Sequence, residues 1–284
     1  LPELPEVETV CRGLNRLTLG QTIKGGEVLL QRTLAYPFSV REFWCSIDGT
    51  QIQLWQRRGK YLLANLSRSP SESAGWLGVH LRMTGQLLWL DRDVPLQKHT
   101  RVRLFFGDRH ELRFVDTRTF GKFWCLPPTE TPEKIITGLQ HLGPEPFSEE
   151  FSPAYLASKL QRSNRNIKSS LLDQGLVAGI GNIYADEALF KSRIAPETIA
   201  ANLSFDRIKR LHGAIIDVLQ AAIDSGGTTF SDFLQVTGVN GNYGGIAWVY
   251  RRAGQPCRVC DTSIERIKLG GRSTHFCPQC QNRG

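Results

Sequence analysis

Apolar residues at Val7, Val10, Cys11, Leu14 and Leu17 recur in steps of three and four. That period predicts a helix with one buried face near the start of the chain. Pro5 suits its first turn, and Glu6 and Glu8 complement its positive end. From about residue 22 to 126 the period changes to two. Ile52/Leu54, Val102/Leu104/Phe106 and Leu112/Phe114 alternate with polar neighbours, split by turns such as Ile47-Asp48-Gly49 and Gly107-Asp108. This predicts antiparallel strands in a sandwich or barrel. The polar run Ser67 to Gly75 predicts a flexible insertion between strands.

A stretch from Pro127 to Pro153, rich in proline and acidic residues, reads as a linker. Helical spacing then returns up to about residue 224. Ser204 caps a predicted helix carrying Phe205, Ile208, Leu211, Ile215, Leu219 and Ala222 on one face. The glycine-rich segment from Gly226 to Gly245 predicts a mobile loop. The expected fold class is α+β, multidomain. A helix plus antiparallel β-sandwich spans 1–128, a linker 129–150, a helical domain 151–250 and a small terminal module 251–284.

That last module holds four cysteines spaced C-x2-C-x16-C-x2-C: Cys257, Cys260, Cys277 and Cys280. Two tight pairs on facing turns supply the tetrahedron of thiolates that one structural zinc ion takes. The same spacing also occurs as disulfides in secreted proteins, but no signal peptide is visible here. Cys11, Cys45 and Cys125 are left over and read as reduced core thiols. No apolar run approaches bilayer length, so the expectation is a soluble, cytoplasmic protein without a membrane partner. The chain carries a formal charge of +8, and residues 251–284 hold seven Lys/Arg against two Asp/Glu. A basic zinc module points to a polyanion such as nucleic acid, although a basic surface also serves solubility. No heptad seam appears, and a monomer is expected.

At the N-terminus, removal of Leu1 would leave Pro2 as a secondary amine beside Glu3. Such an amine attacks an aldehyde-like carbon to give an iminium ion, and a neighbouring carboxyl group moves protons. The same residues also read simply as a helix start. Lys60 lies in the basic cluster Arg57-Arg58-Gly59-Lys60 ahead of an apolar strand, and Met83 is the only methionine. Locally, these are a strand-end lysine and a half-buried filler. The Gly179-Ile180-Gly181-Asn182 turn is no nucleotide-binding loop, because no strand precedes it and no Walker lysine follows.

LPELPEVETV together with the terminal cysteine spacing resembles the bacterial formamidopyrimidine-DNA glycosylase family. RRGKYLL, HLRMTG, DTRTFG, LLDQGLVAGIGNIYADEALF, GGTTFSDF and GGRSTHFCPQC extend the resemblance along the whole chain. It implies a bifunctional glycosylase and abasic-site lyase acting on 8-oxoguanine and formamidopyrimidines in double-stranded DNA. Its architecture would be a catalytic sandwich, a helix–two-turn–helix domain with a lesion-capping loop, and a zinc finger. Pro2 would attack C1′, Glu3 would move protons, and Glu6 would hold the N-terminus in place. Lys60 would be catalytic, binding a phosphate near the lesion and donating a proton in β-elimination, and Arg272 would be catalytic in δ-elimination, clamping the same phosphates chiefly by its charge. Met83, Arg118 and Phe120 would fill the void left by the flipped nucleotide, with Arg118 facing the orphaned cytosine. His80, His99, Arg165, Lys168 and Asn182 would be further DNA contacts, and main-chain groups near Phe230 to Phe233 would read the base edge. The protein would be nucleoid-associated when acting. Leu1 stands where the family has methionine; a non-AUG start codon read literally accounts for it. A retained leucine would make Pro2 an amide and leave a silent DNA-binding zinc protein. A relative of the endonuclease VIII type, preferring oxidised pyrimidines, is the other alternative.

Overall fold

The computed structural model describes residues 2–228, 236–238 and 241–282. In chain order its elements begin with α1 (Leu4–Thr18), β1 (Ile23–Val28), β2 (Leu34–Tyr36), α2 (Val40–Ile47), β3 (Gln51–Arg58), β4 (Tyr61–Ser69) and β5 (Glu72–His80). There follow β6 (Gly85–Asp91), β7 (Thr100–Phe106), β8 (His110–Asp116) and β9 (Lys122–Leu126). The second half holds α3 (Pro132–Ile135), α4 (Thr137–Gln140), α5 (Pro153–Leu160), α6 (Ile167–Leu171), α7 (Asn182–Lys191), α8 (Phe205–Asp224) and α9 (Tyr243–Ile246). A last hairpin, β10 (Glu265–Leu269) and β11 (Arg272–Phe276), is the final regular structure.

The chain divides into two compact units, 1–140 with 225–242 and 141–224 with 243–284. In the first, a five-stranded sheet ordered β2-β9-β5-β4-β3 and a four-stranded sheet ordered β1-β7-β8-β6 enclose one core. Every pairing is antiparallel except that of β2 with β9. Inward-facing Leu62, Leu66, Leu77 and Phe123 from one sheet meet Val102, Leu104 and Phe114 from the other. Burying two apolar sheet faces against each other is what makes a sandwich out of period-two strands.

Helix α1 covers β3, an edge strand whose backbone groups would otherwise lack partners. Val7, Val10, Cys11 and Leu14 are buried as expected. The Asn15 side chain bonds both ways with the Trp55 backbone, donating to its C=O and accepting from its N–H at 2.8 Å each. Thr18 accepts from the Trp55 indole at 2.9 Å. The clamp sits beside a bulge between Ile52 and Leu54. The bulge breaks the predicted alternation: Ile52 and Trp55 are buried, whereas Leu54 is 43% exposed.

Other local expectations are corrected by the structure. Ser67 to Gly75 is no insertion, because β4 and β5 run through it as one long hairpin turning at Pro70-Ser71. Residues 40–47 form a helix that the strand pattern hid, capped by Ser39 and burying Phe43 and Ile47. The stretch read as a linker carries α3 and α4, with Ile136 and Leu139 buried. In the second unit α8 buries Ile208, Leu211, Ile215, Leu219 and Ala222, but Phe205 in its first turn is 49% exposed. No helix among the described residues is long and apolar enough to cross a membrane.

Candidate functional site

Pro2 is buried directly ahead of α1, with Glu3 as the helix N-cap and Pro5 in the first turn. Glu6 reaches back from the third helical position, and its Oε2 accepts the Glu3 N–H at 2.9 Å. The carboxylates of Glu3 and Glu6 are both inaccessible to solvent. The other oxygen of Glu6 accepts the Thr228 N–H at 2.8 Å. Gly227 (φ +81°) lies against this carboxylate, where a Cβ would come within 3.1 Å of Oε1. Gly241 is also fixed by proximity, since a Cβ there would meet the Gly226 and Gly227 carbonyls at 2.4 Å. At these two positions glycine serves close packing rather than the mobility expected of the segment. Leu1 and the stretch from Phe230 to Phe233 lie outside the described residues.

Lys60 occupies the tight turn between β3 and β4, after Gly59 at φ +56°. Its neighbour Arg57 is engaged with Glu8 at 2.9 Å and with the Gly59 carbonyl. His80 stands opposite Tyr61 in the β4/β5 ladder, and their rings meet edge to face. Its Nδ1 accepts the Arg82 N–H at 2.9 Å, which leaves the proton of the neutral ring on Nε2. Burial first, then the charges of Arg82 and Lys60, push the His80 pKa down to about 3. The observed partner of this expected DNA contact is thus the turn that follows it.

Met83 is half-buried in that turn, Arg82-Met83-Thr84, which carries the chain from β5 into β6 of the other sheet. Arg118 and Phe120 lie on the return crossing from β8 to β9, both exposed. The Arg118 guanidinium sits 4.9 Å from the Phe120 ring centre. The structure therefore groups the three expected wedge residues on the two crossings between the sheets. His99 is half-buried, and its Nδ1 lies 3.0 Å from Arg101 Nη2.

In the second unit, α6 and α7 are joined by turns that include Gly179 at φ +92°, and Gly181 caps α7. Asn182 opens α7 as expected, and its amide donates to the Ser273 carbonyl at 2.9 Å. Arg165 is exposed, pairing with Asp173 at 3.1 Å. Lys168 corrects its expected role as a phosphate contact. It is 1% exposed, and its Nζ binds Asp186 at 2.7 Å, the Thr274 hydroxyl at 2.8 Å and the Ser273 carbonyl at 2.9 Å. A buried ammonium needs such a set of partners, and here the set ties α6 to β11. Asp186 adds a second tie by accepting the His275 N–H at 2.8 Å.

Arg272, exposed, is the first residue of β11 and pairs with Leu269 across Gly270-Gly271. Both glycines have positive φ, +52° and +77°, the signature of a two-residue type I′ turn. Below the hairpin the Sγ atoms of Cys257, Cys260, Cys277 and Cys280 lie within 4.8 Å of one another. Three of the separations are 3.4, 3.5 and 3.8 Å. Four thiolates around zinc at about 2.3 Å stand about 3.8 Å apart, so the set fits the ion. N–H groups of Val259 and Cys280 point at the sulfurs of Cys257 and Cys277, as expected around thiolates.

Among the described residues, sequence reasoning missed four buried acids: Glu111, Asp116, Asp186 and Glu187. Glu187 accepts the N–H groups of Trp248, Val249 and Tyr250, and so fixes the chain where it re-enters this unit. Burial pushes the Glu187 pKa up, against the pull of those three donors. The adjacent pair Asp186-Glu187 inside the apolar run Ile183–Phe190 was the signal available for two of them.

Three family models match in sequence: the formamidopyrimidine-DNA glycosylase N-terminal domain over residues 1–123, the H2TH domain of those enzymes over 142–233, and the zinc finger found in FPG and IleRS over 254–283. The formamidopyrimidine-DNA glycosylase of Rippkaea orientalis is 66% identical over 99% of this chain and 100% of its own. That of Nostoc punctiforme is 66% identical over 99% and 96%. Among solved structures, Lactococcus lactis Fpg bound to DNA with an abasic site matches at a TM-score of 0.89 and 36% identity, covering 99% of both chains. MutM (Fpg) of Thermus thermophilus matches at 0.87 and 38%, covering 100% of both.

Proposed function

The chain belongs to the formamidopyrimidine-DNA glycosylase family, and from that premise we propose that Pro2, freed of Leu1, is the nucleophile with which it excises oxidised purines from duplex DNA. It is a DNA glycosylase and abasic-site lyase of base excision repair, and its four cysteines hold one structural zinc ion.

The Pro2 nitrogen attacks C1′ and the damaged base leaves with the bonding electrons. Glu3, buried beside it, supplies and removes the protons that ring opening and the later steps need. The resulting iminium withdraws electrons from C2′, so loss of a C2′ proton expels the 3′ phosphate. A second elimination expels the 5′ phosphate. Desolvation of the front of α1, together with the helix's positive end, favours the unprotonated amine that attack requires. The observation that carries this reading is the burial of Pro2 and Glu3 on a backbone that Glu6 pins.

In the first unit Lys60 and His99 would contact the DNA backbone, and Met83, Arg118 and Phe120 would replace the extruded nucleotide. In the second, Arg165, Asn182 and Arg272 would bind phosphates. The enzyme would act as a monomer, at the nucleoid, like a cytoplasmic repair protein of its bacterial relatives' kind.

Borohydride trapping tests the chemistry. Protein whose mass begins at Pro2 should form a covalent adduct with an 8-oxoguanine:cytosine duplex. Such protein forming no adduct would overturn the proline mechanism, and preferential release of thymine glycol would reassign the lesion class.

A further inference from the structure

The two wedge loops come from different points of the chain; ladder pairs join their ends, His80 with Lys122 and Gly85 with Asp116, but residues 81–84 and 117–121 lie between the ladders and need other ties. Resting on the reading of Met83, Arg118 and Phe120 as the residues that enter the duplex, we propose that Asp116 is the positioning residue that locks the two loops into one wedge.

Asp116 is the last residue of β8 and is 1% exposed. Its Oδ1 accepts the Thr84 hydroxyl at 2.5 Å and the Arg118 N–H at 3.3 Å. Its Oδ2 accepts the Gly121 N–H at 2.8 Å. The Thr84 hydroxyl oxygen in turn accepts the Arg118 N–H at 3.0 Å. One carboxylate thus binds the residue after Met83, the backbone of Arg118 and the residue after Phe120. Its main chain reaches the loop ahead of β7, donating to the His99 carbonyl at 2.9 Å, and β7 itself, accepting from Arg101 Nε at 2.9 Å.

The chemistry explains why the residue is acidic. A buried carboxylate is costly unless donors satisfy it, and here three neutral donors converge on its two oxygens. An amide in its place would keep one acceptor and turn an N–H₂ toward an N–H or O–H donor. Gly121 completes the fit: a Cβ there would lie 2.3 Å from the Phe114 ring and 3.1 Å from Asp116 Oδ2. The loop bearing Phe120 can descend onto the carboxylate only because that position is glycine.

Coupling the loops matters because extruding a nucleotide costs a few kcal/mol, recovered when the wedge fills the gap. Loops that moved separately would pay ordering entropy at that moment. Asp116 has this cost met in the free protein.

The test compares wild type, Asp116→Asn and Thr84→Val on two substrates. One is an 8-oxoguanine:cytosine duplex, which must be wedged open; the other is a preformed abasic site in single-stranded DNA, which need not be. Both variants should lose about tenfold or more in duplex excision while strand cleavage of the single-stranded site stays within about twofold. The fluorescence rise of 2-aminopurine beside the lesion on binding should shrink in both. Thr84→Val keeps the carboxylate and decides the matter if Asp116→Asn folds poorly. Equal losses on both substrates, or no loss on either, would overturn the proposal. A wild-type protein that excises nothing from the duplex would remove the underlying reading, and the proposal with it.

Discussion

Glu6 and Thr228 are joined across most of the sequence by a 2.8 Å hydrogen bond, from the Thr228 N–H to Glu6 Oε1. The other oxygen of the same carboxylate holds the Glu3 N–H. The backbone that presents the proposed nucleophile and the start of the glycine-rich segment therefore share one side chain. In Glu6→Gln one of the two N–H donors would face an amide N–H₂. Leaving a buried donor unsatisfied costs about 1–3 kcal/mol, so denaturant unfolding should show a loss of that order. Single-turnover excision should fall as well. Unchanged stability would mean that the bridge carries no weight.

Pro2→Gly should bind lesion DNA with near-native affinity yet lose most base excision and the borohydride adduct. The substitution removes the secondary amine and leaves the phosphate contacts intact. Full activity in this variant would mean that the proline ring is dispensable, the primary amine of the new terminal glycine or another amine attacking in its place.

Lys168→Met and Arg165→Ala separate a structural lysine from a surface arginine. Breaking the buried Lys168–Asp186 pair leaves a lone charge and should cost about 3–5 kcal/mol of stability. The salt dependence of DNA affinity should keep its wild-type slope in Lys168→Met. In Arg165→Ala the slope should flatten by about one ion. A flatter slope for Lys168→Met would return that lysine to the DNA interface.

Cys277→Ser should release zinc, measurable with a chromogenic chelator, and weaken DNA binding. Thiol labelling gives an independent reading. Cys11 and Cys125 are buried, with pKa values pushed up to about 12, mainly by burial. With zinc bound, the exposed Cys45 should be the cysteine that iodoacetamide modifies in the folded protein. Rapid labelling of Cys257 or Cys280 in zinc-loaded protein would contradict the metal site.

His80 gives a pH dependence of definite sign. Its folded pKa, about 3, lies below the unfolded value of about 6.5, so the unfolded chain binds more protons between them. The stability that neutral His80 contributes is complete above about pH 6.5 and is lost progressively as pH falls toward 3. Subtracting the unfolding curve of His80→Gln from that of wild type between pH 4 and 8 should isolate this slope. Parallel curves would mean that the ring titrates alike in the folded and unfolded chain, against the burial described here.

What the sequence disclosed, it disclosed through local repetition. The α1 pattern, the cysteine spacing and the Gly179–Asn182 turn each depend on residues close together in the chain. The misreadings share the opposite property. Leu54 faces solvent because a bulge shifts its strand, and a bulge depends on the partner strand. Ser67 to Gly75 is polar, yet it is held as strand by pairing within its own hairpin. Lys168 looked like a surface cation because its partners are Asp186 and residues 273–274, which no local window contains. Asp116 stands inside a quoted motif, but its purpose is visible only once Thr84, 32 positions earlier, is seen to touch it.

The turn at Gly270-Gly271 places a constraint on sequence length. It has the minimum loop for a hairpin, and Arg272 begins the strand immediately after it. Neighbouring strand residues point to opposite faces, so one added residue on the β11 side would send this guanidinium to the wrong face. An alanine at either glycine would strain a left-handed backbone. Deletions and insertions should therefore be tolerated in the outer rim of the β4–β5 hairpin long before they are tolerated here.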